Sequence, residues 1–265
     1  MEVKFYDNID DDKLKFAVIV TRYQDKWLLC KHRQRDTYEI PGGHREHGET
    51  ILETAKRELF EETGALDFEI MPVCVYSVTG KNRVNETGDE MFGMLFLADV
   101  DKLEQEIHSE IEKIKLFDQL PDNLTYPDIQ PFLFKQAKKV YRQKIIKEWF
   151  LSWFDNKWNK FEKVFDNNVY YSESWGPEYN NLDQIKCWFK KWHDGSKLIK
   201  WDITSFIHSD NYTFVEWCFA CKNNDKTTEF DGISLVAWNE VEKIKVCKEY
   251  GSSLPKYNPF DIDES

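Results

Sequence analysis

Glu58, Glu61 and Glu62 stand at i, i+3 and i+4 in the stretch Arg57-Glu-Leu-Phe-Glu-Glu-Thr-Gly64. On a helix this spacing sets all three carboxylates on one face. Like charges held that closely destabilise a helix by about a few tenths of a kcal/mol per pair. A hard divalent cation with oxygen ligands offsets the repulsion, so the spacing points to a metal site. Arg57 precedes the cluster and can clamp one carboxylate in a bidentate pair that fixes its orientation. Gly42 and Gly43 let a loop backbone approach the helix, where a carbonyl could complete a metal's shell. Glu49 can reach the same space. A bare acidic stripe is usually a solvated face. The flanking glycines, glutamate and arginine together argue against that here.

The elements that position these groups are readable locally. Thr50 and Glu53 form a capping box, which predicts a helix start at that point. Ile51, Leu52, Ala55 and Leu59 give the helix an apolar stripe, and Gly64 suits the left-handed position that ends it. Residues 15–21 and 26–31 read as strands joined by a polar turn at 23–25. Residues 38–40 read as a short strand that stops at Pro41-Gly42-Gly43. Further strands are predicted over 68–76 and 91–100, with a polar loop over 80–89 between them. A last helix is predicted over 122–135.

Gly43, Glu49, Arg57, Glu58, Leu59, Glu61, Glu62, Gly64 and Ala65 together make a pattern that resembles the Nudix hydrolases. Family members more often carry a bulkier aliphatic residue where Ala65 stands. The resemblance implies an α/β/α sandwich over residues 1–135 that hydrolyses nucleoside diphosphate-linked substrates. It also implies a Mg2+ site, with Mn2+ as a substitute, in which Glu58, Glu61 and Glu62 are ligands. Gly42 would add its carbonyl, Gly43 would lie against substrate, and Arg57 would orient the cluster. A water activated by the metal would attack a phosphorus of the pyrophosphate. Glu110 resembles the family's later acidic position and is the candidate base, although it also reads as a surface glutamate among Glu104, Glu106 and Glu112. His44 and His47 read as ordinary loop residues.

The texture of Trp27-Leu-Leu, of residues 38–43 and of residues 117–129 is similar to the bacterial 8-oxo-dGTP diphosphatases. In that family an Asn or Asp soon after a proline reads the purine edge, and Pro127-Asp128 matches. Asp128 also reads as a helix cap. Phe92, Phe96 and Tyr126 are candidates for stacking on a base. The implied substrate is a small nucleotide, with a nucleotide sugar or an RNA 5′ end as alternatives. A nucleotide-sensing or ligand-binding module is the non-enzymatic reading.

Charge and tryptophan divide the 265 residues unevenly. Residues 1–135 carry 28 acidic and 17 basic side chains, a net of −11, whereas residues 136–265 carry 20 and 19, a net of −1. An acidic first half disfavours stable binding of duplex nucleic acid. Of ten tryptophans, Trp27 alone lies in the first half. That shift predicts a second domain over 143–265, joined by a basic, helix-prone connector over 136–142. The acidic N-terminus lacks an apolar signal region, no apolar run reaches membrane-span length, and the six scattered cysteines suit free thiols, so a cytoplasmic location is expected.

In the second half, residues 143–165 carry apolar residues at helical intervals, 168–179 read as a strand and turn, and 183–193 read as a helix. Four strands are predicted over 199–208, 213–221, 229–239 and 243–250. Helices followed by an antiparallel meander give an α+β class. The order and phrases such as Phe230-Asp-Gly-Ile-Ser234 resemble the nuclear transport factor 2-like (SnoaL-like) family, which implies a cone-shaped fold with a pocket. A small ligand in that pocket and a homodimer through the sheet are the partners implied. Glu216, Asp231 and Glu249 are candidate pocket carboxylates, outward-facing strand positions being the blander alternative. Trp175, Tyr179 and Trp188 are candidate lining residues.

Overall fold

The computed structural model of the chain describes residues 1–81, 85–104, 110–156, 158–223 and 226–260. Part of the expected polar loop (82–84) and the neighbours Glu106 and Ser109 of Glu110 lie outside them. The chain divides into two compact units, Met1–Tyr141 and Arg142–Ser265.

The first unit is built on strands β1 (Glu2–Tyr6), β2 (Leu14–Tyr23), β3 (Lys26–His32), β4 (Gly42–His44), β5 (Ala65–Thr79), β6 (Met91–Leu103) and β7 (Ile111–Phe117). They form one sheet in the order β1-β5-β6-β2-β3-β7, with β4 paired to β2. Strands β2 and β6 run parallel, and the other named pairs are antiparallel. Gln24 and Asp25 both hold positive φ, 53° and 61°, which is the two-residue turn whose twist suits the β2–β3 hairpin. Alternation along β2 turns Ala17 and Ile19 to one face, where they pack with Val75, Phe96 and Ala98.

Helix α1 (Ile51–Thr63) lays Ile51, Ala55 and Leu59 onto that same face. Its capping box is complete: Thr50 accepts from the Glu53 amide, and Glu53 accepts from the Thr50 amide. Gly64 ends the helix at φ 71°. The result is the expected α/β Nudix-type sandwich.

Two local expectations need correction. Tyr38 and Glu39 make isolated bridges, to Leu124 and Cys30, and the strand itself starts at Gly42. The final helix is not 122–135 but α2 (Gln130–Ser152), which runs on through the helix-prone connector at 136–142. Pro127 disfavours helical backbone at Tyr126, so the chain turns there and the Gln130 amide bonds the Tyr126 carbonyl at 2.9 Å. Pro131 then falls in the first turn, where its missing N–H costs little. Beyond it no Gly or Pro interrupts the helix. Buried Leu133, Ala137, Tyr141, Ile145 and Trp149 recur every fourth residue along it.

In the second unit α2 is followed by α3 (Phe161–Val164), β8 (Phe165–Ser172), β9 (Glu178–Tyr179) and α4 (Leu182–Gly195). The meander β10 (Ser196–Ser209), β11 (Tyr212–Asn223), β12 (Lys226–Trp238) and β13 (Ile244–Ser253) completes it. The sheet order is β10-β11-β12-β13-β8-β9, with β8 parallel to β13. Two register shifts in the β10–β11 ladder increase the local bend. This is the helices-then-meander α+β order expected of a nuclear transport factor 2-like domain. Its core is aromatic, with Trp149, Phe165, Tyr171 and Trp217 almost wholly buried.

One polar group is built into that unit's interior. Arg142 donates to Glu242 (2.6 and 3.3 Å) and to the Asp210 carbonyl (2.5 Å), and both side chains of the ion pair are buried. Asp210 and Glu242 sit in the β10–β11 and β12–β13 turns, so one guanidinium fixes both hairpins against α2. No helix among the described residues is long and apolar enough to cross a membrane.

Candidate active site

Arg57 is the hub of the acidic helix face. Its Nε and Nη2 grip Glu49 at 2.7 and 3.2 Å, and its Nη1 reaches Glu58 at 2.8 Å and Glu61 at 3.1 Å. Nη2 also donates to the His44 carbonyl, 3.0 Å, tying α1 to β4. Glu49 accepts further bonds from Thr54 and from the Glu46 amide. The Arg57 hydrogen bonds foremost, with the Glu46 amide, hold the Glu49 carboxyl down at about 2. Bound to Glu49, Arg57 is held firmly protonated.

Glu62 is placed differently. Its Oε2 accepts from the Gly42 amide at 2.8 Å. Burial, with the charges of Glu58, Glu39 and Glu110 adding to it, pushes its carboxyl up to about 8. Burial also raises Glu58. The Ile19 amide bonds the Pro41 carbonyl and the Arg45 amide bonds the Lys15 carbonyl, so residues 41, 43 and 45 face β2. By strand alternation the Gly42 N–H and carbonyl therefore turn away from β2, toward the carboxylates.

Gly43 is required by contact rather than by φ. A Cβ there would lie 2.0 Å from Glu58 Oε1. Gly43→Ala must therefore displace the Glu58 carboxylate. We expect turnover to fall by about a hundredfold, on the scale of a misplaced reacting group, with far-UV circular dichroism unchanged.

Gly42, Gly43, Glu58, Glu62 and Glu110 border one cleft of about 450 Å3, within the usual size range of small-molecule sites. Arg57 and Glu61 are not among the residues that line it. Asp128 is exposed and borders an adjoining recess. In the cleft itself this segment contributes Tyr126 and Gln130. Phe96 belongs to the core beneath the sheet, and Phe16 and Tyr76 are the aromatic walls alongside Tyr126.

Sequence reasoning missed three lining groups. Glu39 is buried, paired with Arg35 at 2.6 Å, and raised by burial. The signal was present, as an acid between Tyr38 and Ile40 directly before Pro-Gly-Gly. Arg35 itself borders the cleft. Gln130 is the third: it is 4% exposed, and its side-chain carbonyl has no hydrogen-bond partner among the described residues.

As they stand, no three His, Cys or acidic side chains among the described residues are gathered closely enough to hold an ion. Arg57 instead draws Glu58 and Glu61 to itself. The donor set nonetheless fits a hard divalent cation. It consists of carboxylate oxygens, and the Glu62 carboxyl is held in a desolvated place facing other negative charges.

The second unit has a small cavity of its own, bordered by Glu173 and Glu249 among aromatic rings. Glu249 and Trp188 line it as the sequence suggested, and so does Trp175. Glu216 and Asp231 do not. Val215 and Trp217 are buried, so Glu216 between them faces outward and accepts from Ser205. Asp231 pairs with Lys256. Glu173 takes their place. Tyr179 stacks on Trp188 at 4.6 Å, and its hydroxyl donates to Glu173 at 2.6 Å.

Burial pushes Glu249 up to about 8 and Glu173 up to about 7. A folded-state pKa above the unfolded one means that the native state holds the proton more tightly. Stability is therefore full below about pH 4.5 and falls as pH rises through 7 to 8. For Glu249 alone the loss is up to about 5 kcal/mol. Glu249→Gln should accordingly raise Tm at pH 8.5 and leave it nearly unchanged at pH 5, as scanning calorimetry at the two pH values would read out.

Residues 12–160 match the NUDIX domain family model, more than half of the chain. The chain belongs to the Nudix family. It is a hydrolase acting on phosphoanhydride bonds, and Nudix hydrolases generally use divalent metals such as Mg2+. It is 33% identical over 149 residues to the “Putative 8-oxo-dGTP diphosphatase YtkD” of Bacillus subtilis (strain 168), which covers 56% of this chain and 90% of that protein. Among solved structures it is similar to the Bacillus subtilis pyrophosphohydrolase BsRppH, with 29% identity, 52% of this chain, 90% of that one and a TM-score of 0.44. It is also similar to a protein of ketosteroid isomerase-like fold from Catenulispora acidiphila DSM 44928, with 17% identity, 42% and 85% coverage and a TM-score of 0.37.

Proposed function

We propose that the first unit hydrolyses a purine nucleoside triphosphate of the 8-oxo-dGTP class to the monophosphate and pyrophosphate. Mg2+, or Mn2+ in its place, would be held by Glu58, Glu61, Glu62 and the Gly42 carbonyl. The observation that carries this reading is the single cleft in which Gly42, Gly43, Glu58, Glu62 and Glu110 meet the rings of Phe16 and Tyr76 and the free amide of Gln130. A polyphosphate suits one end of it and a base suits the other. The likeness to a relative named for 8-oxo-dGTP supports the same class.

The residues divide the work. The Phe16 and Tyr76 rings hold the base, and the Gln130 amide meets its polar edge. Arg35 lies where it can meet phosphate charge, while Arg57 and Glu49 hold the carboxylate row in place. When bound, the metal neutralises charge on the phosphate oxygens and lowers the pKa of the attacking water. Glu110 takes that water's proton as its oxygen bonds to phosphorus. The anhydride bond on the far side breaks, and its electron pair leaves with the pyrophosphate. The second unit is proposed as a separate module that takes no part in this step.

The test is a nucleotide panel with Mg2+, covering 8-oxo-dGTP, dGTP, a nucleotide sugar and a 5′-triphosphate RNA. The expected result is a higher kcat/KM for 8-oxo-dGTP than for dGTP. Gln130→Leu should reduce that ratio about tenfold, one hydrogen bond's worth or about 1.4 kcal/mol. Equal rates for the two nucleotides, or faster cleavage of the sugar or RNA substrate, would remove the proposed substrate class.

A further inference from the structure

The cavity of the second unit is walled almost entirely by aromatic rings. Six of its ten lining residues are tryptophans, two are phenylalanines, and the remaining two are Glu173 and Glu249. Among the described residues, no lysine, arginine or histidine lines it. Its volume is about 20 Å3, enough for a single compact group and far too small for a nucleotide or fused rings. Trp175, 54% exposed and set edge-on to Phe230, stands at its mouth.

Glu173 and Glu249 are 7% and 6% exposed. Each has one oxygen engaged by a tyrosine hydroxyl, Tyr179 for Glu173 and Tyr171 for Glu249. The second oxygen of each has no hydrogen-bond partner among the described residues. The charge of Glu173 adds to burial in raising the proton affinity of Glu249. A neutral apolar ligand would give neither oxygen a partner. An anion would meet two acids and the negative faces of the rings. A cation meets the two acids and the aromatic faces, which attract cations and do so more strongly when desolvated.

We propose that this cavity binds a compact alkylammonium ion, its charge against Glu173 and Glu249 and its alkyl groups among the tryptophan rings. Burial already favours the uncharged acids when no cation is present, and a bound ammonium ion takes over the role of their protons. Trp188, stacked on Tyr179, links the ring wall to the hydroxyl that orients Glu173. The site is independent of phosphoanhydride hydrolysis, so the two readings stand or fall separately.

The experiment titrates full-length protein with methylammonium and tetramethylammonium chloride, following tryptophan fluorescence and heat. Sodium chloride controls for ionic strength, and tert-butanol serves as an uncharged compound of similar bulk. The expected result is saturable binding of at least one ammonium ion with Kd of about 1 mM or tighter, and none of tert-butanol. Glu249→Gln and Glu173→Gln should each weaken binding at least tenfold while nucleotide turnover stays at the parental rate. If one variant fails to fold by circular dichroism, the other decides. No saturable signal with either ion, equal binding of tert-butanol, or parental affinity in the folded glutamine variants would each overturn the proposal.

Discussion

Glu62→Gln will lower kcat about a thousandfold and leave the metal-free protein at least as stable as its parent. The two effects have opposite signs because Glu62 serves chemistry at the expense of the resting fold. Its carboxyl is desolvated and faces the charges of Glu58, Glu39 and Glu110. Glutamine removes that charge, and its amide oxygen still accepts from the Gly42 N–H. What it removes in addition is a negatively charged ligand for the proposed cation. Transition-state charge stabilisation of about 4 kcal/mol is then lost, which is about three powers of ten in rate. Single-turnover kinetics with Mg2+ and thermal unfolding in chelator measure the two halves. A variant that keeps even a tenth of parental turnover would show that Glu62 is not a ligand.

Arg142→Ala will destabilise the second unit by about 3–5 kcal/mol, the cost of leaving a buried charge without its partner. Three interactions disappear at once. They are the paired bonds to Glu242, the bond to the Asp210 carbonyl, and the packing of the guanidinium against the Trp238 ring, 5.3 Å away. Both turns lose their common anchor. The double change Arg142→Met with Glu242→Leu removes both charges and should recover most of the loss, since an apolar replacement of a buried pair is often neutral. Urea denaturation followed by the tryptophans, nine of which lie beyond residue 141, reads this unit directly. A loss below about 1 kcal/mol for the alanine variant would place the pair among weak surface bridges.

Legibility in the sequence followed the range of the interactions concerned. Helix α1 was readable at both ends because Thr50, Glu53 and Gly64 act on their own neighbours. The strand expectations over 15–21, 26–31, 68–76 and 91–100 all fall inside observed strands. Strand β1 went unpredicted: Glu2–Tyr6 has little internal pattern and pairs with β5, far along the chain. Helix α2 was read as two helices on either side of a helix-prone connector because its lysines look like a domain join, whereas the buried every-fourth-residue pattern continues through them.

The site followed the same rule. The carboxylates of α1 and the glycines of β4 were singled out by their spacing together with the Nudix resemblance. Gln130 and Glu173 were not, because what marks them is an unanswered polar atom in one case and a carboxyl set among rings in the other. Neither property exists until distant segments meet. Asp128 looked right by its place after Pro127, yet a two-residue shift along the turn decides which side chain enters the cleft.

The unbroken course of α2 also governs how the halves can be separated. Severing the chain between 136 and 140 would strip Tyr141 from Trp27 and Arg22, whereas Arg142 bonds Glu242 and Trp149 packs against Phe165 and Tyr171. A boundary drawn between Tyr141 and Arg142 leaves each of these contacts with its own unit, and a catalytic fragment is therefore to be sought there.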